Sequence, residues 1–372
     1  MSSEWPFVAV DQVCELIVDC VNKTAPVVPY PTPYRMIRTT NVRYGRVNLD
    51  DCKFVDESTF EKWTRRAKLA VGDVILTREA PIGEVGSIKE ANGVFLGQRL
   101  MQYRANSQLL DPRFLLYSFL SPLLQSQFAS HEGSGSVVSH IRVGDCFKFK
   151  VPLPPLPVQQ DIAGLLGSLD DRITLLRETN ATLEAIAQTL FKSWFVDFDP
   201  VRAKAEGREP EGMSAEVAEL FPDAFQETES GNMPKGWKLV PFGQLLEHTI
   251  GGDWGDEVAN EKNDTLVGII RGTDIPDLKS AQTSRVPIRY TSQKKLSSRR
   301  LQDGDLILEV SGGSRDQPTG RCLYLSNDIL GQFDCPLEPA SFCRLLRPVG
   351  REVGIMLGEH MTFIYGQGKT WE

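Results

Sequence analysis

The residues in this chain whose types and spacing could do chemistry are polar loops suited to binding. Arg38-Thr39-Thr40-Asn41-Val42-Arg43-Tyr44 and Arg271-Gly272-Thr273-Asp274 leave apolar runs at equivalent points. Thr77-Arg78 and Ser311-Gly312-Gly313-Ser314-Arg315 do so again further along. Guanidinium, hydroxyl and amide groups carried on loops suit phosphate contacts and bidentate reading of base edges in a DNA groove. Any polar turn uses the same side chains, so each single residue also has a purely structural reading. Catalytic patterns fail one after another. Gly366-Gln367-Gly368-Lys369-Thr370 ends like a phosphate-binding loop, but Phe363 stands where G-x-x-x-x-G-K-T needs its first glycine. Asp277-Leu278-Lys279 lacks the upstream carboxylate of a nuclease motif. There is no G-x-S-x-G elbow, no H-E-x-x-H, no Asp/Asn-Pro-Pro-aromatic run and no strand-borne G-x-G-x-x-G. The residues point to recognition without catalysis.

What must position these loops is a duplicated domain. Trp5 is echoed by Trp237, Ile37–Val42 by Ile270–Ile275, Val71–Leu76 by Asp303–Leu308, Leu96-Gly97-Gln98 by Leu330-Gly331-Gln332, and Gly133-Ser134-Gly135 by Gly366-Gln367-Gly368. Order and an offset of 232–234 residues hold throughout, as two copies of one domain require. Each copy mixes short β-branched runs with Gly/Pro/Ser/Asn loops. In the first, residues 111–130 read as a helix that Pro122 breaks or kinks. The candidate readers are Thr39, Thr40, Asn41, Arg43, Arg78, Gln98, Ser134 and Ser136 in the first copy, and Arg271, Thr273, Ser314, Arg315, Gln332 and Lys369 in the second. Gln98 and Gln332 hold matching repeat positions, so a shared scaffold role fits them as well as base contact.

Between the copies Ile162, Leu166, Leu169, Ile173, Leu176, Asn180, Leu183, Ala187, Leu190 and Trp194 alternate at spacings of four and three, a heptad seam. A helix over this seam is about 50 Å long. Pro154-Pro155-Leu156-Pro157 marks its start and Asp197-Phe198-Asp199-Pro200 its stop. Asn180 is the one polar residue in the seam, at an a position where a buried amide can fix register. An amphipathic helix lying on its own domain is the alternative, but a seam this narrow and long wants a second helix. Residues 201–233 read instead as a surface linker with one short helix near Ser214–Leu220.

Composition sets the outer limits. The chain has 372 residues, 41% hydrophobic and 24% charged, with net charge −8. That acidity sits in the middle: residues 1–155 hold 18 Lys+Arg against 16 Asp+Glu, residues 156–236 hold 7 against 15, and residues 237–372 hold 16 against 18. A near-neutral copy can still present a positive face to DNA, because the local field decides. No stretch is long and apolar enough to span a membrane and no signal peptide opens the chain, so a cytoplasmic location is expected. Seven cysteines, Cys14, Cys20, Cys52, Cys146, Cys322, Cys335 and Cys343, contain no C-x-x-C pair and read as reduced thiols. No metal or cofactor site is indicated.

The expected fold is α+β: two homologous domains with irregular curved sheets (residues 1–155 and 234–372), a coiled-coil spacer helix (156–200) and the linker (201–233). Pro152–Ile162 opening the long helix and Lys192-Ser193-Trp194-Phe195-Val196-Asp197-Phe198-Asp199-Pro200-Val201 closing it, between two variable repeats, resemble the specificity subunit of type I restriction-modification systems. The resemblance implies two target-recognition domains, each reading half of a bipartite duplex DNA site, held apart by an antiparallel pair of conserved helices. It further implies a non-catalytic subunit that docks methyltransferase and motor-nuclease subunits. S-adenosylmethionine, ATP and Mg belong to those partners. The second conserved helix and the closing strand of the second copy are absent from the pattern. The expectation is therefore a C-terminally truncated member whose unpaired helix seeks a partner, a second chain included. From another class, a non-catalytic coiled-coil adaptor whose repeats bind protein or glycan also fits.

Overall fold

Apolar runs of three to six residues between Gly, Pro and Asn breakers make short strands, and short strands must be cross-braced by more than one sheet. The structure, a computed structural model, describes residues 5–131, 140–229, 231–280, 286–313 and 318–369. It divides into two units, Met1–Leu175 and Leu176–Glu372, with the boundary inside the long helix. Helices and mixed sheets make each unit α+β, as expected.

The first unit holds strands β1 (Phe7–Ala9), β2 (Cys14–Asp19), β3 (Arg35–Ile37), β4 (Val42–Arg43), β5 (Gly45–Val47), β6 (Lys53–Phe54), β7 (Val74–Thr77), β8 (Val85–Ser87), β9 (Val94–Leu96), β10 (Leu100–Ala105) and β11 (Lys150–Pro152). Its helices are α1 (Glu57–Trp63), α2 (Pro112–Leu120), α3 (Pro122–Ala129) and the first half of α4 (Leu156–Phe191). One sheet runs β2-β10-β7-β8-β5-β4, a second runs β6-β3-β9 with β3 and β9 parallel, and β1 pairs with β11. The helix expected over 111–130 is two. Ser121 takes an extended conformation before Pro122, and its hydroxyl caps α3 by accepting from the Leu124 N–H, as the pre-proline restriction demands. Tyr103, Phe119, Phe128 and Phe149 meet edge to face in the core. The start of α4 is fastened there by fully buried Gln159, whose amide donates to the Leu109 and Pro154 carbonyls and accepts from the Asp111 N–H.

The second unit begins with the rest of α4, which widens into one π turn over Lys192–Val196 and stops at Phe198, a residue in the left-handed region. It continues with α5 (Asp199–Ala205), α6 (Ala215–Glu219), α7 (Ile275–Lys279), α8 (Gln293–Arg299), α9 (Asn327–Leu330) and α10 (Arg351–Gly366). Its strands are β12 (Phe225–Thr228), β13 (Gly231–Pro234), β14 (Leu246–Gly251), β15 (Thr265–Ile270), β16 (Ile288–Thr291), β17 (Leu306–Glu309), β18 (Cys322–Tyr324), β19 (Leu337–Pro339) and β20 (Cys343–Pro348). The reading of 201–233 as a surface linker needs correction. Besides the short helix α6, capped by Ser214, it contributes buried Val201 and Phe221 and the β12–β13 hairpin. Phe195, Phe198, Phe221 and Trp237 interlock there, with ring centroids 5.7–6.4 Å apart. Aromatic residues spaced among Pro, Glu and Gly carry no helical or strand period, yet a few of them bury enough area to order the segment.

The duplication is visible in both sheets, although β4 and β5 of the first repeat have no equivalent strand among the described residues of the second. The order β14-β20-β17-β18 repeats β2-β10-β7-β8, and β16-β15-β19 repeats β6-β3-β9, parallel pair included. One landmark was misaligned. The Gly97 N–H donates to the Ile37 carbonyl at 2.7 Å and the Ala340 N–H to the Ile270 carbonyl at 2.8 Å, so Pro339-Ala340-Ser341 takes the place of Leu96-Gly97-Gln98. Leu330-Gly331-Gln332 instead closes α9. The cause is loop length. Seven residues join β7 to β8 and six join β8 to β9, whereas twelve join β17 to β18 and twelve join β18 to β19.

Each copy carries the same buried clamp. After a turn that needs glycine at positive φ, Gly72 or Gly304, the Asp73 carboxylate accepts from Arg104 Nε and Nη2, both at 2.8 Å, and the Asp305 carboxylate accepts from Arg347 Nε and Nη2 at the same distances. The carboxylates also accept the Ala70 and Gln302 N–H groups, and the guanidinium groups also donate to the Lys68 and Arg300 carbonyls. Both aspartates are 1% exposed. Arg347→Met leaves that charge buried and unpaired, and should lower the stability of the second unit by about 3 kcal/mol, read from its urea midpoint. A loss under about 0.5 kcal/mol, the size of an ordinary surface substitution, would show that the clamp does not hold the sheet.

Candidate nucleic-acid interface

Backbone hydrogen bonds gather three loops in each repeat. In the first, residues 38–41 are joined to residues 97–99 through Gly97 N–H to Ile37, and 77–79 to 97–99 by the Arg78 N–H donating to the Arg99 carbonyl at 2.8 Å. In the second, residues 271–274 are joined to 340–342 through Ala340, and the Val310 N–H donates to the Phe342 carbonyl at 2.9 Å. The strands thus place Gln98 and Arg99 opposite Ser341 and Phe342 in the repeat.

The sequence-derived residues fare unevenly. Thr39, Thr40 and Asn41 lie in the first loop. Thr40 is exposed, while Asn41 is buried, its Oδ1 accepting the Arg38 N–H at 2.8 Å. Arg43 turns back on its own loop, donating to the Thr39 and Val42 carbonyls at 2.7 and 2.5 Å with Glu84 at 3.7 Å. Arg78 is buried and donates to the Ile141 carbonyl at 3.0 Å, which makes it a brace between loops. Gln98 accepts from the Thr24 hydroxyl at 3.1 Å. In the second repeat Arg271 forks onto Asp274 at 2.6 and 2.9 Å, and the carboxylate holds the guanidinium charged more firmly than usual. Thr273 beside it is exposed. Gln332 and Lys369 stand apart from the three loops. Gln332 donates to the Asp328 carbonyl after α9, and exposed Lys369 follows α10. Ser134, Ser136, Ser314 and Arg315 lie outside the described residues.

Sequence reasoning passed over Arg99, paired to Glu79 at 3.1 Å, and Trp254, Ser341 and Phe342. An offset of 243 instead of 234 would have brought Ser341 and Phe342 under Gln98 and Arg99. Beneath the second face lies an ion pair whose positions in the first repeat are held by Thr77 and Glu84: Glu309 accepts from Arg321 at 2.7 and 2.9 Å, both residues buried. Gly272 packs so closely on it that an added Cβ would lie 2.1 Å from Glu309 Oε1.

On α4, Ile162 packs against the first core, and Trp194 joins the aromatic cluster of the second unit. Leu166, Leu169, Ile173, Leu176, Asn180, Leu183, Ala187 and Leu190 are exposed. Within the second unit, α10 lies against the end of α4 through Phe191 and Phe363, 6.2 Å between ring centroids. All seven cysteines are free, and five of them are buried. Among the described residues no helix is long and apolar enough to cross a membrane.

Residues 3–185 match the family model described as the type I restriction modification DNA specificity domain. This chain belongs to the type I restriction-modification specificity family. Among its relatives, the HindI specificity subunit of Haemophilus influenzae is 38% identical over 138 residues, covering 37% of this chain and 29% of that protein. The MjaIX specificity subunit of Methanocaldococcus jannaschii is 27% identical over 190 residues, covering 50% and 39%. The matches thus span well under half the length of these two relatives. A solved type I restriction-modification S subunit from M. genitalium is 14% identical, with a TM-score of 0.43, over 100% of this chain and 80% of that one.

One residue beside the interface of this specificity-family chain is out of keeping with its surroundings. Glu338 in β19 pairs in register with Ile269, as Phe95 does with Met36 in the first copy. It is fully buried near Thr291, and among the described residues neither carboxylate oxygen has a hydrogen bond of ordinary geometry. Burial, with the Asp253 charge adding to it, pushes its carboxyl up to about 7 from an ordinary 4.5. Below the ordinary value both folded and unfolded chains are protonated. As pH rises toward the folded value the unfolded chain ionises first, so stability falls over that window. Glu338→Gln should therefore be more stable than the parent at pH 8, with a gap that closes toward pH 4.5, as thermal midpoints at the two pH values will show. A gap independent of pH would remove ionisation as its cause.

Proposed function

We propose that this chain is a non-catalytic, sequence-specific DNA-binding subunit of a type I restriction-modification complex, each repeat reading one half of a bipartite duplex site. The observation that carries the reading is the gathering of the same three loops at the same register in both repeats while their side chains differ. A shared scaffold with a variable lining is what two readers of different sequences need. Arginine and lysine side chains around the two faces neutralise phosphates, and the exposed loop residues meet base edges. Two readers joined by one helix bind as an effective pair only when the gap in the DNA suits them. The exposed apolar row of α4 docks the methyltransferase subunits or a second chain. S-adenosylmethionine, ATP and Mg act in the methyltransferase and motor-nuclease partners.

Binding of the full chain to duplex DNA should fall linearly in log affinity against log salt, with a slope of about −3 or steeper from several phosphate contacts. A flat dependence, or no binding, would favour an adaptor whose repeats take protein or glycan. The helix is tested separately. Light scattering should show association of the chain, alone or with its methyltransferase, which Leu176→Glu together with Leu183→Glu abolishes. Asn180→Leu should raise the thermal midpoint and broaden the oligomer distribution. A chain that stays monomeric at high concentration and captures no methyltransferase would overturn the docking role.

A further inference from the structure

The two three-loop faces differ in kind, and the second contains a hollow. A cavity of about 590 Å³ opens among the loops 271–274, 309–313 and 340–342 of the second repeat, walled on the outside by Trp254 and Phe342. The charged groups of its lining are already engaged with each other or with neighbours: Glu309 with Arg321, and Arg271 with Asp274. What remains toward the opening is the Phe342 ring, 63% exposed, the Trp254 indole, 41% exposed, and the hydroxyls of Thr273, Ser311 and Ser341. The Arg289 guanidinium stands 5.3 Å from the indole centroid and pairs with Glu257, which braces that wall. In the first repeat Arg99, paired to Glu79, replaces Phe342.

Exposed aromatic faces around a hollow, with hydroxyls at the rim and, among the described residues, no free charge inside, suit a flat ring that carries hydrogen-bonding groups on its edge. They do not suit a phosphate, which wants cations, nor the edge of an intact base pair, which offers no face to stack on. Resting on the DNA-reading assignment above, we propose that this cavity takes one nucleobase turned out of its stack, its face held between Trp254 and Phe342 and its edge met by the hydroxyls of Thr273, Ser311 and Ser341. A base that leaves the duplex must first give up pairing and stacking, and less is given up where it is already unpaired.

The experiment compares binding of the full chain to a short duplex pool, fully paired, with binding to the same pool carrying one unpaired central thymine. The unpaired pool should bind more tightly by about 5- to 150-fold, the range of one stacked base, and Phe342→Ala should remove that preference, bringing the two pools to within about twofold of each other. Arg99→Ala, at the same position of the first repeat, should keep the preference. Equal affinity for the two pools, or a preference that survives both Phe342→Ala and Trp254→Ala, overturns the cavity's role and leaves DNA reading intact. Failure to bind either pool overturns DNA reading and the cavity's role together.

Discussion

Everything in each repeat hangs on one fork of charge: an arginine of β10 or β20 gripping an aspartate that follows a glycine turn. The guanidinium presents two parallel donors that a carboxylate matches, and in a nearly water-free setting this geometry is far more specific than an apolar contact of the same size. It ties β10 to the turn before β7, and β20 to the turn before β17. Because β7 and β17 then run straight into the loops of the interface, the clamp sets where those loops begin. The adjoining parallel pairs β3/β9 and β15/β19 bring the other two loops alongside.

The duplication was legible in the sequence because Asp73 and Asp305, with their glycines and following β-branched runs, are framework residues that cannot vary without loss of the clamp. The heptad helix was legible for a different reason: its period is long and unbroken. Individual site residues were much less so. Arg43 and Arg78 have the types expected of DNA contacts, but their side chains are bound to backbone carbonyls of neighbouring loops. A guanidinium has five donors that serve a carbonyl as readily as a phosphate, and sequence alone does not say which acceptor is nearer. Phe342 escaped notice because an exposed aromatic between Ser341 and Cys343 has no period, and because the longer loops had shifted the alignment beneath it.

The folded segment after α4 shows the same limit from the other side. Its Pro, Glu and Gly content describes a linker, while Phe221, Phe225 and Trp237 fold it onto Phe195 and Phe198. The turn at Phe198, left-handed between two helices, brings α5 and the end of α4 into this cluster. Local composition reports what a segment could do alone; aromatic packing reports what its neighbours make of it.

The eleven additional residues of the second repeat all fall in the two connections flanking β18, and none in the strands. Lengthening a closed loop from seven to twelve residues costs under about 0.6 kcal/mol of chain entropy, less than a typical hydrogen bond contributes. The framework therefore allows its loop surface to be rebuilt by insertion and deletion, not only by substitution. New loop surfaces in such a chain can arise in single steps that leave the sheet, the clamp and the folding of the repeat untouched.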